Sequence, residues 1–112
     1  MTHTMKLQPD YYNYILNGTK RIELRLNDEK RKNIKIGDTI TFFKEPDLTE
    51  SFETKVTGLL NYATFSDLFD DYDISILSDS SMTKLELLNV LQKFYTEDMQ
   101  SKYGVLGIRF KL

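Results

Sequence analysis

The chain is expected to fold as one mixed α+β domain with an antiparallel or barrel-like sheet, and three observations carry that expectation. Extended segments with β-branched or alternating apolar residues recur at residues 22–26, 39–43, 52–62 and 106–112. Helical spacing is confined to residues 9–18 and to a late block between 64 and 95, so helices do not alternate with strands as in βαβ folds. The length of 112 residues suits a single core, burying on the order of two-thirds of the unfolded surface, and is short for two ordinary domains.

Met5-Lys6-Leu7 begins the first strand. Pro9 followed by Asp10 opens a helix, because the first turn has no use for proline's missing N–H and an acid there complements the helix dipole. Gly18 ends that helix. Tyr11, Tyr14, Ile15 and Gly18 recur at helical intervals, which assigns the tyrosines to packing and edge contacts rather than to a platform for stacking bases. Next comes a charged strand with Lys20 at its mouth, then a charged loop and the Gly37-Asp38 turn into Thr39-Ile40-Thr41-Phe42-Phe43. Residues 44–50 read as a loop and residues 52–62 as an extended stretch interrupted at Gly58.

Thr64 with Asp67 forms an N-cap pair for a short helix through Leu68 and Phe69. The acidic, serine-rich residues 70–81 are expected to be a surface excursion. A longer helix starts near Thr83, with Glu86 completing a capping box, and should bury a stripe of Leu85, Leu88, Leu91 and Tyr95, widened by Leu87 and Phe94. Leu106, Ile108, Phe110 and Leu112 alternate with Gly107, Arg109 and Lys111 in a closing strand.

The segment Asn17-Gly18-Thr19-Lys20-Arg21-Ile22-Glu23-Leu24-Arg25 concentrates four ionisable side chains on a strand. Ile22, Leu24 and Leu26 share one face, while Arg21, Glu23 and Arg25 share the other, so the strand buries one side and presents charge on the opposite side. Charge alternation alone describes a solvated face laced with weak ion pairs. The neighbouring Lys30, Arg31, Lys32 and Lys35 read equally as a solvated loop or as an anion-attracting one.

With the charged strand and loop, the turn at Gly37-Asp38 and the terminal Tyr103-Gly104-Val105-Leu106-Gly107-Ile108, the chain resembles the ASCH family, the activating-signal-cointegrator homology domains of the PUA-like superfamily. Their signature G-x-K-x-x-E-x-R stands here as Gly18, Lys20, Glu23 and Arg25, and the likeness spans nearly the whole chain. The resemblance implies a small PUA-like, partly open β-barrel flanked by helices, with that segment lining a cleft. It also implies an RNA or nucleotide-like ligand: Lys20, Arg25, Lys30 and Arg31 would engage phosphates or base acceptors, Glu23 would read a donor edge, and Tyr103 would stack on or cap the ligand. His3, which precedes the Met-Lys-Leu strand as in resembling chains, is a candidate neighbour of the cleft.

A bacterial branch resembling this family comprises N4-acetylcytidine amidohydrolases that use a lysine, a threonine and a glutamate. That implies a hydrolase alternative with Lys20 and Glu23 as catalytic candidates. Glu23 stands where that branch has its threonine, however, and a carboxylate is a poor substitute for an alkoxide in acyl transfer. The branch's distal glutamate falls in the poorly alignable stretch around Asp79 and Ser80, which assigns it no counterpart in this chain.

Composition bounds the remaining classes. There is no cysteine, hence no disulfide framework or thiolate metal site, and His3 is the only histidine, which leaves no multi-histidine metal centre. No phosphate-cradling G-x-x-x-x-G-K-[ST] loop, dinucleotide G-x-G-x-x-G or G-x-S-x-G elbow is present, so no cofactor is implied. Without a long apolar run or a signal-like start, the protein is expected to be cytoplasmic and not membrane-bound. The net charge of −2 hides a division: residues 1–44 carry nine Lys/Arg against five Asp/Glu, whereas residues 45–100 carry three against twelve. A polyanion is therefore attracted to the first third and repelled by the middle, which favours a local site over a broad groove.

Overall fold

In the computed structural model, which describes residues 1–78 and 81–112, ten elements follow one another along the chain. They are β1 (Thr2–Leu7), α1 (Pro9–Leu16), β2 (Ile22–Leu26), β3 (Thr39–Lys44), β4 (Ser51–Tyr62), α2 (Phe65–Asp71), α3 (Ile74–Leu77), α4 (Lys84–Gln92), α5 (Glu97–Tyr103) and β5 (Val105–Lys111). The strands form one sheet in the order β1-β3-β4-β5-β2, curled into a half-barrel. β1 and β3 run parallel, and every other pair is antiparallel. A bulge between Val56 and Gly58 bends β4, the longest strand, against β5.

The local signals are found at the helix ends. Thr64 Oγ1 accepts the Asp67 amide, and Thr83 and Glu86 form a complete capping box. Pro9 begins α1, and Gly18, at φ +84°, reverses the chain after it, a backbone conformation that a side chain resists. From this reversal the Lys20 amide donates back to the Tyr14 carbonyl, and β2 begins.

Two apolar clusters sandwich the sheet. Met5, Leu7, Tyr12, Ile15, Ile40, Phe42, Leu106, Ile108 and Phe110 fill one, under α1. Ile22, Leu24, Leu26, Phe65, Leu68, Leu77, Leu87 and Val105 fill the other, under α2 to α5. β5 serves both, which departs from a strand with one wet face: Val105 is as buried as Ile108, and only Arg109 and Lys111 emerge. Gly107 permits this closeness, since a Cβ there would lie 3.1 Å from Leu68 Cδ1 and 3.3 Å from Ile22 Cγ2. Leu112, counted by alternation in the closing strand, lies beyond it and is exposed.

Further expectations are corrected among the helices. Of the stretch 70–81, expected to be a surface excursion, residues 74–77 are not one, because α3 docks on the start of β2: Leu77 is fully buried, and the Ile76 carbonyl accepts the Arg21 amide at 2.7 Å. In α4 it is Leu87 that is buried, while Leu85 is 67% exposed and Phe94, beyond the helix, 54%. The helix is rotated so that Leu87 enters the second core, with Leu88 and Leu91 half-buried against it, while Leu87, Val90 and Leu91 also border a cavity. Residues 97–103, to which periodicity assigns no element, form α5, capped by Thr96 and carrying Glu97 and Asp98 in its first turn. The place of the distal glutamate around Asp79 and Ser80 lies outside the described residues. No helix among those residues is long and apolar enough to cross a membrane.

Candidate functional site

β1 and β2 are the two edge strands of the half-barrel, and a side chain of β2 reaches the backbone of β1. Arg25 Nη2 donates to the Lys6 carbonyl at 2.9 Å and to Glu23 Oε2 at 3.1 Å, so one guanidinium fork satisfies an edge-strand carbonyl and fixes the neighbouring carboxylate. Beside this bridge lies a cavity of about 220 Å³. Lys6 and Leu7 of β1, Tyr11 of α1, Glu23 and Arg25 of β2, and Leu87, Val90 and Leu91 of α4 line it, with Lys20, Phe94 and Tyr95 from the connections.

Lys20 and Glu23 are each about 95% buried. Lys20 Nζ donates to the carbonyls of Leu77 at 2.6 Å and Ile22 at 2.7 Å, and lies 3.4 Å from Glu23 Oε1. Three acceptors match the three N–H bonds of an ammonium, so the geometry is that of a charged lysine. Burial draws the lysine pKa below its ordinary value, against the opposing attraction of Glu23. For Glu23, burial favours the neutral acid, yet the Lys20 and Arg25 charges and the Leu24 amide at 3.0 Å outweigh it and hold the carboxyl below its usual range. Burial likewise disfavours the Arg25 cation, and Glu23 together with the Tyr95 hydroxyl restores it, leaving its pKa raised. The wall thus sets Lys20 and Arg25 on either side of one carboxylate. Lys20 Nζ also sits 5.6 Å from the centroid of the Tyr11 ring, a cation–π contact that holds this aromatic part of the wall in place.

The structure brings Lys20, Glu23 and Arg25 together on this wall, with Glu23 and Arg25 on one strand face. Lys30 and Arg31 stand apart from it. They border a second, more polar cavity of about 520 Å³ together with Thr4, Met5, Phe43 and Leu48, and the two cavities share Lys6, Arg25 and Glu45. Arg31 Nη1 pairs with Asp28 Oδ2 at 3.1 Å, while its Nε is the one buried side-chain polar atom without a partner among the described residues. Such an orphan costs roughly 1–3 kcal/mol.

His3 and Tyr103 border neither cavity. His3 Nε2 lies 2.8 Å from Asp38 Oδ2 and ties β1 to the Gly37-Asp38 turn, since parallel pairing of β1 with β3 sets that turn beside the start of β1. Tyr103 ends α5 against the second core, with Lys102 Nζ 5.1 Å from its ring centroid. The aromatic residues at the cavity are instead Tyr11, Phe94 and Tyr95, the first expected to pack on its helix and the other two to belong to a core stripe. The phase of α1 holds the missed signal: Tyr12 and Ile15 are its buried pair, which turns Tyr11 onto the neighbouring face.

Among solved structures, the hypothetical protein PH0355 is 34% identical, with a TM-score of 0.88 over 99% of this chain and 98% of that one. Protein PF0455 from Pyrococcus furiosus is 30% identical, with a TM-score of 0.79 over 99% and 96%. The S128A mutant of ZmASCH from Zymomonas mobilis shares the fold at a TM-score of 0.71 and 9% identity, over 99% of this chain and 68% of that one. No curated protein matches the sequence. The family model described as ASCH domain matches residues 5–112. With that match over nearly its whole length and a partly open barrel flanked by helices, the chain belongs to the ASCH domain family.

Proposed function

We propose that the cavity between the edge strands receives a nucleobase of RNA or of a nucleotide-like ligand. The observation that carries this reading is the hydrogen-bonded Lys20-Glu23-Arg25 cluster on the wall of a base-sized, partly aromatic cavity. A dry cavity of about 150 Å³ accommodates a benzene ring, so 220 Å³ suits a heterocycle of similar breadth. Glu23 offers lone pairs to an exocyclic amino group, Arg25 offers N–H groups to a ring nitrogen or carbonyl, and Tyr11 and Tyr95 supply apolar ring surface. Lys20, already satisfied by three acceptors, acts by charge and by fixing Glu23 rather than by reaching for a phosphate.

Binding is favoured over acyl transfer because no serine or threonine is among the described residues that line the cavity, and Glu23 is tied to both cations. Calorimetric titration with the four ribonucleosides and short RNAs tests the reading. At least one should bind, and Val90→Trp, which fills the cavity without touching the charged cluster, should weaken that ligand at least about tenfold. Lys93→Ala, on the exposed outer surface, should not. Unchanged affinity in Val90→Trp would place the ligand elsewhere.

A further inference from the structure

We propose that the second cavity is a phosphate site for the same ligand, so that the class recognised is a base together with a phosphate one nucleoside away, rather than a nucleoside alone. This rests on the nucleobase reading of the first cavity and extends it. The two cavities adjoin, sharing Lys6, Arg25 and Glu45 in their walls, which makes a single ligand with a base and a phosphate the natural occupant of both. The second faces four cations, Lys6, Arg25, Lys30 and Arg31, against the single carboxylate of Glu45. Neither Lys6 nor Lys30 pairs with a carboxylate among the described residues.

Arg31 adds the decisive detail. Asp28 anchors it through Nη1 and also accepts its backbone amide at 3.1 Å, which leaves the guanidinium positioned while its buried Nε has no acceptor. An anion with several oxygens in the cavity engages the part of the guanidinium fork that Asp28 leaves free, without calling on the enclosed Nε. Lys20 is saturated by protein acceptors and Arg31 is not, which divides the labour between a base compartment and a phosphate compartment.

Affinities of the intact protein for a nucleoside, its 5′- and 3′-monophosphates and a dinucleoside monophosphate test this, alongside inorganic phosphate titrated into ¹⁵N-labelled protein. The phosphate group should raise affinity about tenfold over the nucleoside. That gain should fall below about threefold in Arg31→Ala and in the milder surface change Lys30→Ala, and should persist in Lys93→Ala. A gain confined to the dinucleotide identifies a strand of RNA, and a gain with the monophosphates identifies a free nucleotide; either supports the site. Nucleosides that bind while phosphate adds nothing overturn the phosphate site and leave the base cavity standing. Inorganic phosphate that shifts the Lys30 and Arg31 amides, without any nucleoside binding, supports the anion site and removes the base reading. A gain that survives both Arg31→Ala and Lys30→Ala overturns the proposal.

Discussion

Lys20 holds the charged strand, α3 and Glu23 together through one ammonium, and its removal affects stability before it affects any ligand. In Lys20→Met the carbonyls of Ile22 and Leu77 lose their donor, and Glu23 keeps only Arg25 as a compensating charge. Breaking a buried pair from one side costs about 3–5 kcal/mol, and the remaining arginine places the expected loss near the lower end, measurable by urea unfolding. Lys30→Met, on the exposed loop, should stay within about 0.5 kcal/mol. Asp38 offers a separate test by pH. The hydrogen bond from His3, the Lys35 amide and the chain's amino terminus hold its carboxyl at about 2. The unfolded aspartate titrates near 3.9, so between these values the unfolded chain binds the extra proton, and stability falls as pH drops from about 4 to about 2. The stability gap between wild type and Asp38→Asn should accordingly narrow through that window; a gap independent of pH would remove the ion-paired role of Asp38.

Among the elements, β5 is the most sensitive to volume. Gly107 lies where Leu68, Ile22 and Leu60 converge, and an added methyl group meets the first at 3.1 Å. Gly107→Ala is expected to cost about 1–3 kcal/mol through overpacking, seen as a lower urea midpoint with an unchanged m-value. The capping residues Thr64 and Thr83 were legible in the sequence because their partners lie three residues away, at Asp67 and Glu86. The phase of α4 was not. Leu85, Leu87 and Leu88 all satisfy an apolar stripe, and the choice among them depends on the cavity and on α2, both distant in sequence. The burial of α3 was hidden for the same reason, since its acidic, serine-rich surroundings describe a loop while its docking partner is the start of β2. Nor does alternation reveal that β1 pairs with β3 in parallel, a contact made across α1 and β2.

At the scale of the molecule, the basic first third of the chain contributes both edge strands, and the cavity opens where those edges approach. Lys20, Glu23 and Arg25 could be grouped from sequence because six residues span them and strand alternation sets two of them on one face. Tyr11, Glu45 and Tyr95 could not, because only the curl of the sheet and the packing of α1 and the residues after α4 bring them to the same wall. Charge division in the sequence and convergence in the fold therefore point to one place by independent routes. The most direct test is a crystal structure of the protein soaked with a panel of nucleosides and short RNAs. Ring density should fill the cavity beside Tyr11 and Tyr95, with Glu23 and Arg25 within about 2.7–3.2 Å of its polar edge. A ligand ordered only on the outer surface, with the cavity empty at saturating concentration, would contradict recognition at this cluster.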